Sequence, residues 1–407
     1  AWHLARGGVD VALLEAGPRV GGSIETQAAD GWLFELGPNT VLENNPHVGP
    51  LVEAVGLGPD KLVAAKAGKR RYLWKRGRLQ PLPAGPLSFL RTRLFSGSAK
   101  ARIAREPFVR PPSDDREESV AEFVRRRLGR EMLDYAVGPF VSGVYAGDPE
   151  RLSVQWATAK IHALEKNHGS LIKGAFAKKK GPAPSGHMIS IRQGLDTLPK
   201  KLAEGVPTVR TSTSCRSVTR KADGTFRVAT DDGTLEAARV VLAVPADALA
   251  SILDDATQGD ARRFDAMPYA PIVLTALGYR REDVEHPLDG FGFLAPRCES
   301  LRILGCLFPS ALFEGRAPEG HVQLTAFAGG RTDPEVLDLD DDAVLRLVTG
   351  ELKQALGTRA APVARHVRRW PRAIPQYEVG HGRFVELARD LEARLPGLSI
   401  AGNVLGG

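Results

Sequence analysis

VDVALLEAGPRVGGSIET, residues 9–26, decides how the rest of the chain is read. Val9, Val11, Leu13 and Leu14 form a short apolar run of the kind buried in a parallel sheet. Glu15 stands at its carboxyl end, and Gly21, Gly22 and Thr26 follow. An acid ending the second strand of a βαβ unit is placed to accept the hydroxyls of a nucleotide ribose. Paired glycines just beyond let backbone approach a bulky ligand. Taken alone, the same pattern also describes a surface acid followed by a flexible turn. The companion G-x-G-x-x-G loop belongs about twenty residues before the acid. Only fourteen residues precede Glu15, and AWHLARGG at 1–8 reads as the second half of a helix, so that loop is expected ahead of Ala1.

The far end of the chain answers the opening. LSIAGNVLGG, residues 398–407, is another short buried strand running into glycines. An α/β sheet binds its ligand at the carboxyl ends of its strands, and here two distant strands end in Gly-rich turns. Between them, 31–40 (GWLFELGPNT) alternates like a strand and ends in a Gly-Pro turn, and 46–55 reads as a helix. Residues 69–82 form a hairpin turning near Arg76 and Gly77. Residues 81–180 are Arg-rich and helical, with a Ser119/Glu122 capping box and an apolar face of Val120, Phe123, Val124 and Leu128. GVYAGDP at 143–149 is a tight loop between helices, and KKKGPAPSG at 178–186 is too polar and Pro-rich to pack. A strand over 206–218 leads into a β-meander and the buried strand RVVLAVP at 239–245. Strand candidates at 272–279, 290–296, 301–308 and 322–327 predict one mixed or antiparallel sheet, and 340–356 an amphipathic helix with an acidic start. The fold class is α/β (α+β mixed), with a nucleotide-binding domain assembled from distant pieces.

Composition removes several classes. With 407 residues, 43% hydrophobic and 25% charged, the chain suits two or three globular domains. A net charge of +7 fits an anionic substrate, an acidic membrane surface or nucleic acid, and decides among none of them. No compact Lys/Arg stripe with interleaved aromatics is present, which argues against nucleic acid. Cys215, Cys298 and Cys306 are scattered and form no disulfide framework, which favours a reducing compartment. No apolar run approaches about 18 residues. His3, His162, His168 and His187 are dispersed, and no metal is assigned. No acid–base dyad or Ser-His-Asp order stands out, so no catalytic side chain is assigned and a cofactor is left to carry the chemistry.

A few residues remain as candidates. Arg70 and Arg71 precede Tyr72 on a predicted strand; they are either solvated hairpin charges or a guanidinium paired with a substrate carboxylate. Trp370, in RWPRAIPQY, is either core or a plane laid against a cofactor. Leu294, Leu307 and Phe327 end separate strands and by themselves read as core.

The chain also resembles a known family, the protoporphyrinogen oxidases, flavin-dependent enzymes of haem biosynthesis, in particular their myxobacterial and plant forms. The resemblance covers essentially the whole chain. It is carried by LLEAGPRVGGSIET, FELGPNT, KRRYLWKRGRL, GPFVSGVYAGDPERLSV, APIVLTALGY, DGFGFLAP, GCLFPS, RWPRAIPQYEVGH and LPGLSIAGN. GGSIET and FELGPN fit the broader amine-oxidase-like flavoproteins, whereas VYAGDPERLS and DGFGFLAP are more specific. The resemblance implies a Rossmann-like FAD-binding domain in three parts (1–64, 186–248 and 367–407, its C-terminal end beyond the chain), a mixed-sheet substrate domain (65–80 and 249–366), and an inserted helical membrane-docking domain (81–185). It implies oxidation of protoporphyrinogen IX to protoporphyrin IX, with hydride passing to flavin N5 and O2 reoxidising the flavin.

Carried over by position, Glu15, Ala16, Gly21, Gly22, Gly37, Pro38, Asn39, Thr40, Val218, Trp370, Gly402 and Asn403 would hold FAD. Arg71 would pair with a substrate propionate, and Gly143, Leu294, Leu307 and Phe327 would line the tetrapyrrole pocket. The expected location is cytoplasmic, peripheral on the inner face of the cytoplasmic membrane and not spanning it; a homodimer is compatible. The phosphate loop and the family's segment after Gly406 and Gly407 are absent from the sequence, which implies a chain truncated at both ends. Ser23 stands where many members of the broader group carry Arg. Three alternatives stay open: a coproporphyrinogen III oxidase of the same fold, another amine-oxidase-like flavoenzyme such as a carotenoid desaturase, and a cofactor-free binding protein. A substrate with four carboxylates calls for more basic groups than Arg71 alone, which favours the first reading.

Overall fold

A computed structural model of the chain describes residues 1–112, 114, 116–177 and 186–406. The polar stretch expected as a surface loop at 178–186 lies outside the described residues but for its last glycine. The chain divides into two compact units, each gathered from separated stretches: residues 1–22, 199–269 and 375–407 form one, and 23–198 and 270–374 the other.

In the first unit, Ala12–Leu14 pairs in parallel with Thr208–Arg210, and Val240–Leu242 in parallel with Leu398–Ile400. Cys215–Arg220, Phe226–Thr230 and Gly233–Ala237 make the expected meander. The single strand expected over 206–218 is in fact two. Ser212 has φ 52°, and the amides of Ser212 and Thr213 bond the carbonyls of Gly17 and Glu15, so the chain turns between two sheets. The helix Gly382–Arg394 buries Phe384, Leu387, Ala388 and Leu391, a 3.6-residue stripe. That stripe packs with Leu249, Phe264, Leu398 and Ile400, and Leu14 lies against the same cluster. Burying each large apolar side chain contributes about 1.5–3 kcal/mol before entropy is charged.

The second unit is organised by a seven-stranded mixed sheet, in the order Ala364–Pro375, Tyr269–Arg280, His321–Gly329, Gly305–Leu307, Gly292–Leu294, Tyr72–Lys75 and Arg78–Pro81. The last two strands are the expected hairpin, and Arg76 and Gly77 both have positive φ at its turn. The strand Ala364–Pro375 was not legible, because Pro371 interrupts its pattern; the edge position tolerates a residue without an N–H. Directly paired residues share a face, so register sorts the sheet. Tyr72, Phe293, Cys306 and Ala326 pair across four strands and belong to a core that includes Val344, Val348, Leu352 and Leu356 of the helix Asp341–Leu356. The Asp340 side chain caps that helix through the Ala343 amide at 2.7 Å. The opposite face carries the candidate site.

The Arg-rich part of this unit is a lobe of short helices. The Ser119/Glu122 capping box forms in both directions, at 3.1 and 2.9 Å, and opens Val120–Arg127. Arg127 is fully buried and bonds Glu165, Glu106 and the Val109 carbonyl, while Glu106 accepts from Ser170 and from the amides of Leu171 and Ile172. Arg126 pairs with Glu118 and Glu165, which raises its affinity for the proton and holds the Glu165 carboxyl below its usual range despite burial.

Candidate functional site

The first unit holds Glu15, Ala16, Gly21, Gly22, Val218, Gly402 and Asn403. Glu15 follows directly on Ala12–Leu14, its own N–H bonded to Arg210 O at 2.9 Å and its carboxylate accepting the Gly17 N–H at 2.7 Å. The carboxylate is thus fixed at the end of a parallel strand, the geometry an acid needs to receive ribose hydroxyls. Gly22 has φ 56° and Gly402 φ 102°, and a Cβ at either would meet nothing within 4 Å. These turns therefore offer bare backbone with open space above it. Asn403 is held through its carbonyl, which accepts from the Tyr377 hydroxyl at 2.6 Å. Val218 sits on the edge strand of the meander, with its side chain buried, so any ligand contact there is through backbone. Sequence reasoning missed Arg19, whose guanidinium bonds Gly22 O at 2.8 Å and shapes the double-glycine turn. Its position three residues before Gly22 was the available signal.

The second unit holds Gly37, Pro38, Asn39, Thr40 and Trp370, together with all five expected substrate residues. A Cβ on Gly37 would stand 1.8 Å from Ser23 O, so only glycine lets these two backbones touch. Asn39 donates to Gly37 O at 3.0 Å, while its Oδ1 is buried without a hydrogen-bond partner. An acceptor so placed is one that a bound group's N–H can satisfy. Trp370 donates its indole N–H to Leu36 O at 2.7 Å, and the Arg368 guanidinium lies 4.5 Å from its ring centroid, so the tryptophan pins the start of the 37–40 turn. Beneath this turn Glu35 is buried, accepting from Thr26 Oγ1 at 2.7 Å and from the Leu195 amide at 2.9 Å, with Arg316 3.8 Å away. Burial raises its carboxyl above the usual range in spite of those partners. Nothing in the pattern FELGPN marks Glu35 as buried except its place inside an apolar alternation.

Four of the five substrate candidates come together on one sheet face. Leu73, Leu294, Gly305, Phe327 and Leu274 pair in turn across five strands, forming a continuous row. Leu307 occupies the neighbouring row, opposite Gly292 and Thr325. Thr325 is fully buried, and its Oγ1 has no hydrogen-bond partner. Gly143, in the helix Gly138–Tyr145, presses on this face: its Cβ would stand 2.4 Å from Leu294 Cδ2. Arg71 precedes the Tyr72–Lys75 strand, exposed, with its guanidinium 5.4 Å from the Phe291 ring centroid. Its neighbour Arg70 is ion-paired with Asp289, which also accepts from Tyr72 Oη at 2.5 Å. Among the described residues no cluster of three or more metal-ligating side chains is found.

The family model "Flavin containing amine oxidoreductase" matches residues 1–405. Protoporphyrinogen oxidase 1 of Arabidopsis thaliana chloroplasts is 32% identical over 98% of this chain and 79% of its own length. Coproporphyrinogen III oxidase of Bacillus subtilis strain 168 is 30% identical over 97% of this chain and 87% of its own length. A crystal structure from Exiguobacterium sp. 255-15, provisionally named a protoporphyrinogen oxidase, superposes with a TM-score of 0.84 at 25% identity, covering 100% of this chain and 91% of that one. The family match over nearly the whole chain and these relatives define an FAD-dependent oxidoreductase. The chain belongs to the flavin containing amine oxidoreductase family, and FAD is its cofactor.

Proposed function

We propose that the protein oxidises protoporphyrinogen IX to protoporphyrin IX. The observation that carries this reading is the row Leu294–Gly305–Phe327 with Leu307 beside it, an apolar floor backed by a rigid sheet, with exposed Arg71 at the end of a neighbouring strand. A tetrapyrrole macrocycle is a broad apolar disc with carboxylates along one edge. An apolar floor and one cation match that shape. When bound, FAD supplies the acceptor for the substrate's hydride and returns to its oxidised state with dioxygen. The residues proposed to hold it are Glu15 at the ribose, Ala16 and the Gly21–Gly22 turn beside it, Val218 through backbone at the adenine, and the turns at 37–40 and 402–403 with Trp370 at the flavin. On the substrate side, Leu294, Leu307 and Phe327 lie against one macrocycle face, Gly143 packs closely on Leu294 and sets its position, and Arg71 takes a propionate. The chain's contribution is orientation and exclusion of water; no side chain is assigned a proton.

Oxidation of coproporphyrinogen III is the second reading, favoured by the Bacillus subtilis relative. Its substrate has four carboxylates, and engagement of Arg70 by Asp289 weighs toward the substrate with two.

We also propose that the helical lobe docks on a membrane surface. Leu87, Leu90, Phe108, Phe140, Val144 and Phe176 are large apolar side chains exposed on it, and no helix among the described residues is long and apolar enough to cross a bilayer.

The test combines the flavin absorption spectrum of the purified protein with porphyrin fluorescence during turnover of each porphyrinogen. Faster kcat/KM with protoporphyrinogen IX supports the first reading, and the reverse order selects the second. Arg71→Ala is expected to raise KM about tenfold or more with kcat little changed, the mark of lost uniform binding. An unchanged KM removes Arg71 from the site.

A further inference from the structure

The helical lobe carries a half-open cavity of about 300 Å³ that shares no residue with the candidate site. Its walls are apolar side chains, among them Phe123, Val124, Val137, Ile161, Leu164 and Ile172. One lining residue, Thr158, carries a hydroxyl, and it already donates to Val154 O at 2.9 Å. The cavity therefore offers a ligand no free hydrogen-bonding group along its wall, and polar matter inside it would lose its water without replacement. An apolar cavity of about 150 Å³ stays dry and accepts benzene, so this one has room for roughly a dozen carbons.

Its surroundings identify the class of occupant. Two of its walls are the helices Ala159–His168 and Leu171–Ala177. Both carry exposed cations, Lys160, Lys166 and Lys173, whereas their one acid, Glu165, is buried against Arg126 and Arg127. Phe176 is exposed on the second of these helices, and Phe108 is 84% exposed in the turn whose Glu106 caps that helix. An apolar chamber with cationic and aromatic side chains on its outer walls suits a molecule with an aliphatic tail and an anionic head.

We propose that this cavity is a binding site for one acyl chain of an anionic membrane lipid. The tail lies among Phe123, Val124, Ile161, Leu164 and Ile172, and the head stays outside near the lysines. This goes beyond the docking of the lobe on a bilayer, because it assigns a discrete, saturable site for a single chain.

The purified, flavin-loaded protein is titrated with 11-(dansylamino)undecanoic acid. Saturable emission enhancement at one site, displaced by dodecanoate, is expected. Across octanoate, decanoate and dodecanoate, affinity should rise by up to about fourfold per added methylene. Ala175→Phe and Ile161→Phe each fill part of the cavity and should weaken probe binding at least tenfold, with melting temperature and flavin spectrum preserved. Non-saturable partitioning, or unchanged binding in both filled variants, overturns the site. Co-sedimentation with phosphatidylglycerol vesicles is measured alongside. Vesicle binding by a wild-type protein that does not bind the probe rejects the cavity site and leaves surface docking standing. Probe binding without co-sedimentation keeps the chamber but rejects a membrane lipid as its occupant.

Discussion

Gly143→Ala is the sharpest probe of the proposed substrate face. Glycine is a poor helix former, so alanine inside Gly138–Tyr145 should gain about 0.8–1 kcal/mol of helix stability. Against that gain, the new Cβ would stand 2.4 Å from Leu294 Cδ2 and 3.7 Å from its Cγ. Ordinary carbon contacts begin near 3.5–4.0 Å, so the terminal methyl must move by more than about 1 Å. The Leu294 backbone is fixed by pairing with Gly305 and Leu73, which leaves its side-chain torsions to absorb the shift at about 0.5–1.5 kcal/mol. The two terms nearly cancel, and the melting temperature should stay within about 3 °C. The consequence falls on the ligand instead. Leu294 shares its row with Gly305 and Phe327, so a displaced methyl intrudes on the surface proposed to take the macrocycle. A loss of about 1.4 kcal/mol is a tenfold rise in KM. Porphyrin fluorescence assays of Gly143→Ala should show that rise with kcat changed less than about threefold. Adding Leu294→Val removes the clashing methyl and should recover most of the loss, a coupling of about 1 kcal/mol in a double-mutant cycle. A wild-type KM for Gly143→Ala, or strict additivity in the double variant, would refute the placement of Gly143 over Leu294.

Other perturbations test the rest of the framework. Arg127→Met leaves Glu106 buried without its cation and Glu165 with Arg126 alone; a cost of about 3–5 kcal/mol should lower the melting temperature by on the order of 10 °C, read by calorimetry. Burial, reinforced by Arg281, holds the His286 imidazole below its ordinary pKa, and neutral Nδ1 accepts the Leu288 amide at 3.0 Å. Because the folded value is depressed, this contribution is present above the ordinary value near 6.5 and lost as pH falls through the folded one. His286→Asn, which keeps an acceptor two residues before Leu288 but no titrating group, should therefore flatten the fall in melting temperature between pH 7 and 5; equal slopes in the two proteins count against it. Trp370→Phe removes the bond to Leu36 O, worth about 1 kcal/mol, and should weaken FAD retention about fivefold, measured as free-flavin fluorescence after dilution; unchanged retention detaches Trp370 from the 37–40 turn.

What the sequence disclosed, and what it hid, follow from range. The turns at Gly21–Gly22 and Arg76–Gly77, the Ser119/Glu122 box and the helix capped by Asp340 are local devices, readable from neighbours within four residues. The acid proposed for the nucleotide was legible for the same reason: Glu15 ends an apolar run and glycines follow. The burial of Glu35 was not, because the groups that answer it in the interior include Leu195 and Arg316, up to 281 residues away. Nor was the edge strand Ala364–Pro375, where a proline obscures a pattern that only the neighbouring Tyr269–Arg280 strand makes sense of. Motif resemblance supplied Leu294, Leu307 and Phe327, which composition alone would have left as ordinary core.

The register explains why these apolar residues differ from those on the other face. The strands Gly292–Leu294 and Gly305–Leu307 have the same form, glycine then leucine two residues later, and they run antiparallel. Each leucine therefore faces a glycine: Leu294 opposite Gly305, and Leu307 opposite Gly292. A Cβ at Gly292 would meet Cys306 O at 2.2 Å, and one at Gly305 would meet Phe293 O at 2.3 Å, so the close approach of the strands excludes any other residue at both positions. The same two glycines remove the side chains that would otherwise fill the space beside Leu294, Leu307 and Phe327. On the reverse face the alternate positions Phe293 and Cys306 pair with each other and pack against the Asp341–Leu356 helix cluster. A one-residue slip would move the glycines to the helix side and the bulky pair to the open side. The strand pairing that fixes the core thus also fixes the low floor between the leucines, and a variant that loosens this register should lose the substrate face and the helix packing together.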